Sequence, residues 1–429
     1  MEPLRQSRRP IQSPACDDIS RQGRDRPAKR WRARLPGGVG WPSVAGVRLL
    51  PLAIFWNLWF LNYSSRTVFS PLLPLIEENL LLSHGQAGGL FTSLAIGYGV
   101  SLLVAGRVVS SWGCKKVVAA SCFGIGFVFV LFQWADRYLV FQAFFFLLGL
   151  AGGSYSPAML PIIAETYDSR HWGKVLGIYD SAASSSVFAV PLLVTLGLHF
   201  FPWRSLLLVL AIVAFLLPVG FWKVAIEPKP TVPVQWGCTL NLFKKRSVWV
   251  LGLLWMAASA SYGGLYSILP LFLINERGLA FGQANTLIGI SRAGGFFLGI
   301  ASGFLVDRYG YRRLIIFSLL STGLSTLVLG LAPNLTVLII GLVLQGTLSS
   351  VFFPAALAAI PHLNPPSDRS MATGLVFFFA VVFGTGVSPF LLGVTADYFS
   401  FQIGIIGLGI FVLFSPLVLT FLHRAESNH

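Results

Sequence analysis

Arg66 and Arg292 are the residues of this chain best suited to holding an anion, because each interrupts a long apolar run far from its ends. A guanidinium stays charged at any ordinary pH, and its planar fork of donors matches a carboxylate or phosphate bidentately. Placing one in hydrocarbon costs about 2.5–3.5 kcal/mol on insertion scales, so it marks a candidate site. Arg66 stands about ten residues and Arg292 about nine from the outer end of its run, a depth of roughly 14–15 Å at 1.5 Å per residue. Asn62, Arg66 and Ser70 follow one another at intervals of four, a polar stripe on one helix face flanked by Trp59 and Tyr63. Asp180 is the one acid well inside an apolar run. It is a candidate proton carrier, or else a partner for Arg292 or Arg308. The competing use for both arginines is an ion pair that knits neighbouring helices.

The elements that position these residues are set by composition. With 55% hydrophobic and 11% charged residues and a mean hydropathy of +0.73, the chain is far from a soluble domain, whose charged share is roughly a quarter. Apolar stretches long enough to cross a hydrocarbon core of roughly 30 Å run over 50–76, 85–109, 114–134, 138–164, 173–199 and 203–225, then 248–274, 283–307, 312–331, 335–361, 369–397 and 400–423. The expectation is an all-α integral membrane protein of twelve helices. Lys115, Lys116, Arg170, Lys174, Lys244, Lys245, Arg246, Arg308, Arg312, Arg313 and Arg369 fall in alternate loops. Short basic loops stay cytoplasmic, so both termini are expected there, in a cell (inner or plasma) membrane.

That asymmetry accounts for much of the net charge of +15 without a nucleic-acid partner. Residues 1–40 carry ten basic and four acidic residues with no apolar periodicity. They read as a disordered tail, inessential or resting on anionic lipid, and not as a signal peptide. Cys16, Cys114, Cys122 and Cys238 have no metal or disulfide spacing. No phosphate loop or nucleophile elbow is present, so neither an enzyme nor a cofactor is expected.

One loop carries more information than the rest. Gly303-Phe-Leu-Val-Asp307-Arg308-Tyr-Gly310-Tyr-Arg312-Arg313 sits between two apolar runs, and a worn copy begins at Gly106, with Ser110 and Ser111 where the acid and base would be. The copies are 197 residues apart, as are Pro157 and Pro354, and Gly177 and Gly374, while Pro74 and Pro270 differ by 196. The chain is therefore two related halves, 49–225 and 248–423, with a tail over 1–48, a central loop over 226–247 and a short C-terminal tail over 424–429.

Two six-helix halves with this loop after the eighth helix resemble the major facilitator superfamily of secondary transporters, over roughly 48–423. The resemblance implies a loop that latches conformations, with Asp307 near a helix N-terminus, Arg308 in an ion-pair network, and Gly303, Gly310, Arg312 and Arg313 completing the motif. The run Asn62-Tyr63-Ser64-Ser65-Arg66, with Pro74 eight residues beyond, is similar to the first helix of the organophosphate:phosphate antiporter and anion:cation symporter branches, where the equivalent arginine binds an anion. Two departures stand out. The second arginine of the phosphate branch is Tyr262 here, and the acid that often precedes the first is Ser65. Helices one, four, seven and ten line the cavity in the family, which adds Tyr155, Tyr262, Tyr266 and Gln345 to the candidates. Gly149, Gly152 and Gly153, and Gly294, Gly295 and Gly299, would let helices approach closely. Prolines 157, 191, 354 and 389 would bend theirs.

The resemblance thus implies a monomeric carrier of a small organic anion, carboxylate-type, working by alternating access with a co-transported proton. Drug efflux by proton antiport is the alternative, and a transport-incompetent sensor or assembly protein the alternative of another class.

Overall fold

The computed structural model describes residues 43–44, 47–228, 245–363 and 369–419. Most of the expected tails and the central loop, with Cys16, Cys238 and Lys244, lie outside the described residues. The described part of 1–48 is a small antiparallel ladder, Ser43–Val44 against Val47–Arg48.

The described chain then forms twelve helical rods. They are α1 (Leu49–Thr67, continued by Phe69–Leu80), α2 (His84–Trp112), α3 (Cys114–Leu131), α4 (Tyr138–Gly153, then Tyr155–Thr166), α5 (Trp172–Gly197) and α6 (Trp203–Val224). The second set is α7 (Arg246–Ser259 and Leu265–Leu271, with π turns after each), α8 (Phe281–Tyr309), α9 (Tyr311–Gly330), α10 (Leu335–Leu348 and Phe352–Leu363), α11 (Arg369–Phe379 and Ser388–Tyr398, joined by a π segment) and α12 (Phe401–Phe414). Ten rods are long and apolar enough to cross a bilayer, and α8, bent by 44°, makes eleven. The remaining rod is α1, broken at Val68 and carrying the polar stripe.

The breaks follow the prolines. Proline removes an N–H and collides with the carbonyl four residues back, so a helix yields on the N-terminal side of it. The interruptions at Val68 and Ser154 and the 3-10 turn Ser349–Val351 each end three residues before Pro71, Pro157 and Pro354, and the π segment Ala380–Val387 stops two before Pro389. Pro191 differs: α5 runs through it unbroken.

The packing repeats with the sequence register. In the first half α1 packs along α5, α2 along α4 and α3 along α6; in the second, α7 along α11, α8 along α10 and α9 along α12. Close approach rests on glycine pairs at the same offset. A Cβ at Gly97 or Gly149 would strike the backbone of the α2–α4 crossing; between α8 and α10 one at Gly346 would strike the Ser291 carbonyl and one at Gly294 the Thr347 side chain. Gly97 and Gly294, and Gly149 and Gly346, are each 197 residues apart.

The halves join through α2 with α11, α5 with α8, and α1 with α7. At one end they are tied: Asp397 accepts from the amides of His84 and Gly85 at 2.8 Å each, Thr92 donates to the Gly386 carbonyl (2.8 Å), and Ser70 to that of Tyr266 (2.6 Å). A Cβ at Gly88 or Gly393 would collide there with the Pro389 or His84 carbonyl. At the opposite end Gly173, Gly177, Gly303 and Gly374 have open space where a Cβ would stand. The molecule is closed at the His84–Asp397 end and loosely packed at the end of the Gly303–Arg313 loop.

Candidate functional site

The stripe on α1 faces three different neighbours. Asn62, almost wholly buried, donates to the Gly152 carbonyl of α4 at 3.2 Å, and Ser70 reaches Tyr266 on α7. Between them the Arg66 guanidinium lies over two rings, Tyr63 at 4.5 Å and Tyr98 of α2 at 4.7 Å, and its Nε has no hydrogen-bond partner. Arg292, on α8, is only 3% exposed, and none of its Nε, Nη1 or Nη2 atoms is hydrogen-bonded. It too lies between two tyrosines, Tyr262 at 5.3 Å and Tyr266 at 5.4 Å, both on α7. Each ring face contributes about 0.5–2 kcal/mol toward holding a cation. A face supplies neither a counter-charge nor a hydrogen-bond acceptor for the fork.

The ion pairing weighed for these arginines does not occur among the described residues. The ion pairs found there are His84 with Glu77 (2.9 Å) and Arg204 with Asp136 (2.7 Å), both at helix ends. Asp180 is not paired with Arg292 or Arg308. It lies beside the indole of Trp59, whose Nε1 forms no well-shaped hydrogen bond, and within electrostatic range of Tyr63 and Tyr262. It is nonetheless open to solvent-sized space, the condition of a side chain on a cavity wall. Tyr63 lies under Arg66 and within electrostatic range of Asp180, Tyr98 and Arg292.

The other candidates stand behind this group. Tyr155, fully buried, stacks on Trp59 at 5.6 Å, and Tyr179 also stacks on it at 5.8 Å; Tyr63 meets Trp59 edge-on at 5.7 Å. Trp59 is thus pinned, and through Tyr63 so is Arg66. Gln345, also without exposed surface, donates to the carbonyl (2.7 Å) and hydroxyl (3.2 Å) of Ser261 in the π turn of α7, while its Oε1 has no partner. It braces a carbonyl freed from regular helix geometry. Tyr98 and Tyr179 escaped the sequence reading, because no charge or spacing marks an aromatic that matters only by whom it touches.

Asp307 and Arg308 are exposed and in no ion pair among the described residues, Arg308 lying over Tyr309 at 5.5 Å. Gly310 turns the chain from α8 into α9 at φ 81°, and Arg312 and Arg313 open α9. In the worn copy Gly113 makes the same turn at φ 89°, and the lost acid has a substitute. Glu227, after α6, accepts from the amides of Cys114 (2.6 Å) and Lys115 (2.9 Å) at the start of α3. A groove of about 510 Å³ between α7, α11 and α12 is apolar and involves none of these charged residues.

A membrane-spanning all-α fold with two related halves and charged groups near their interface defines a secondary transporter of the major facilitator type, and comparison agrees. The family model for the Major Facilitator Superfamily matches residues 55–308 and 256–429, and the chain belongs to that family. It is 25% identical over 369 residues, 79% of this chain and 85% of the other, to the uncharacterized transporter YybO of Bacillus subtilis. Over 343 residues it is 24% identical to the multidrug resistance protein MdtL of Escherichia coli, covering 75% of this chain and 86% of the other. A shorter match, 26% over 176 residues, covers 39% of this chain and 38% of the probable galactarate/D-glucarate transporter GudP of Bacillus subtilis. Among solved structures, a mutant form of the nucleoside transporter NupG superposes with a TM-score of 0.74 at 15% identity, covering 86% of this chain and 98% of the other. The chain is a multi-pass membrane transporter and not an enzyme.

Proposed function

We propose that this transporter carries a small organic anion, of carboxylate type, held between Arg66 of the first half and Arg292 of the second. The observation that carries the reading is Arg292: a guanidinium 3% exposed, with all three nitrogens unpartnered and no acid paired to it among the described residues. A charge so placed is costly until an anion arrives. The partial match to GudP is in keeping with such a cargo.

Alternating access would proceed by rocking of 49–225 against 248–423. The basic loops assign the loosely packed end to the cytoplasm, so this conformation is open inward, the His84–Asp397 end is the closed outer gate, and both termini are cytoplasmic. Asp180, accessible and within electrostatic range of Tyr63 and Tyr262, is the group to carry a coupled proton, within a monomer. Asp307 and Arg308 would find their latch partners when the inner end closes.

Drug efflux is the second reading, favoured by the match to MdtL and the aromatic wall of Trp59, Tyr155 and Tyr179. Two unpaired guanidiniums oppose it for cationic drugs. The test is uptake of labelled organic anions, neutral solutes and cations into proteoliposomes, with and without a pH gradient, for wild type and Arg66→Lys. Saturable anion uptake weakened about tenfold or more by the lysine, which cannot reproduce the bidentate fork, supports the proposal. Cation or neutral-solute uptake indifferent to the exchange overturns it.

A further inference from the structure

Arg66 and Arg292 are not sequence counterparts. By the register of the repeat, Arg66 on α1 corresponds to Tyr262 on α7 at an offset of 196, and Arg292 on α8 to Ala95 on α2 at an offset of 197. The cation has moved from the first helix of one half to the second helix of the other. In space the exchange is undone, because Arg292 lies over Tyr262, the residue standing where a second α1-type arginine would be. Tyr63, against Arg66, is also in electrostatic range of Arg292, so one cation from each half lies near the same ring at the interface between the halves.

Resting on the anion-transport reading above, we infer that the transported ligand is a dianion, with one acid group for each half. A ligand changes a conformational equilibrium only by its difference in affinity for the two states. A monoanion on Arg66 gives the first half its counter-charge and leaves Arg292 bare as the site closes around it. A bare guanidinium in a closing, drying cavity opposes occlusion. A diacid neutralises both cations and ties the halves through its own backbone, so closure is favoured only with both ends filled.

The experiment uses the full-length protein in proteoliposomes and compares labelled malate, tartrate and galactarate with the monomethyl ester of each. The expected result is that at least one diacid enters ten or more times faster than its own ester, and that Arg66→Gln and Arg292→Gln each abolish that advantage. Arg292→Lys, which keeps the charge, retains part of it, and a thermal melt of each variant identifies any loss due to misfolding. Esters carried as fast as their diacids in every pair would overturn the two-acid requirement while leaving anion transport standing. Entry of neutral solutes or cations with neither acids nor esters entering would overturn the anion reading itself.

Discussion

Four tyrosines hold two arginines here, and the stability of variants can tell a site from a structural strut. If Arg292 were half of a buried ion pair, removing it would cost about 3–5 kcal/mol by stranding its partner. No acid pairs with it among the described residues, so Arg292→Met should leave the melting temperature in detergent unchanged or raise it while uptake is lost, a divergence that paired melting and transport assays would reveal. Tyr98→Ala removes one of the two faces under Arg66, and with a contribution of about 0.5–2 kcal/mol per face the apparent affinity should fall by roughly two- to thirtyfold. Tyr98→Phe keeps the ring and should behave as wild type. Arg66 and Arg292 were legible from sequence as charges in apolar runs. Of their tyrosine partners, Tyr63, Tyr262 and Tyr266 stood among the residues the sequence singled out and Tyr98 did not; Gln345 donates to the Ser261 carbonyl and keeps its Oε1 without a partner.

At the scale of elements, the closed end depends on α2 meeting α11. Asp397 caps the N-terminus of α2 from the other half through two amide hydrogen bonds of 2.8 Å. The charge–dipole part is worth about 0.3–1 kcal/mol, and each charge-assisted bond about 1.5–3 kcal/mol. Asp397→Ala should therefore shift the population toward opening at that end. Ser70→Cys, set beside Tyr266, is the reporter: a membrane-impermeant thiol reagent applied from the closed side should label it at least fivefold faster in the Asp397→Ala background. Unchanged labelling would show that α2–α11 packing alone holds the gate. Gly393→Leu, whose side chain would run into the His84 carbonyl, should open the same end more strongly. The proline-linked breaks in α4, α10 and α11 were foreseeable from the missing N–H, whereas the one in α1, before Pro71, was not among the expected bends. The unbroken α5 shows that a helix can continue through a proline.

For the whole molecule, the repeat should be visible in its failures. Gly149→Leu and Gly346→Leu, at the same register position of the two halves and each against a backbone carbonyl of the neighbouring helix, should each lower thermal stability by a comparable amount, about 1–3 kcal/mol of overpacking or more. A loss confined to one half would show that the halves no longer share this crossing. Deleting residues 1–40 should leave uptake within about twofold of wild type if charge there serves only as a screened surface attraction, as a direct transport assay would establish. By itself the sequence determined the membrane class, the two-half repeat, the glycines of the turns and the two buried charges. Those properties depend on each segment's own preference for hydrocarbon, water or an unusual backbone angle, which a segment carries wherever it goes. The tertiary structure alone decided that Arg292 of α8 would stand over Tyr262 of α7, that Glu227 would meet the amides opening α3, and that one end would be closed. Such pairings depend on shape and charge matched across helices far apart in the chain, and no single segment contains that information.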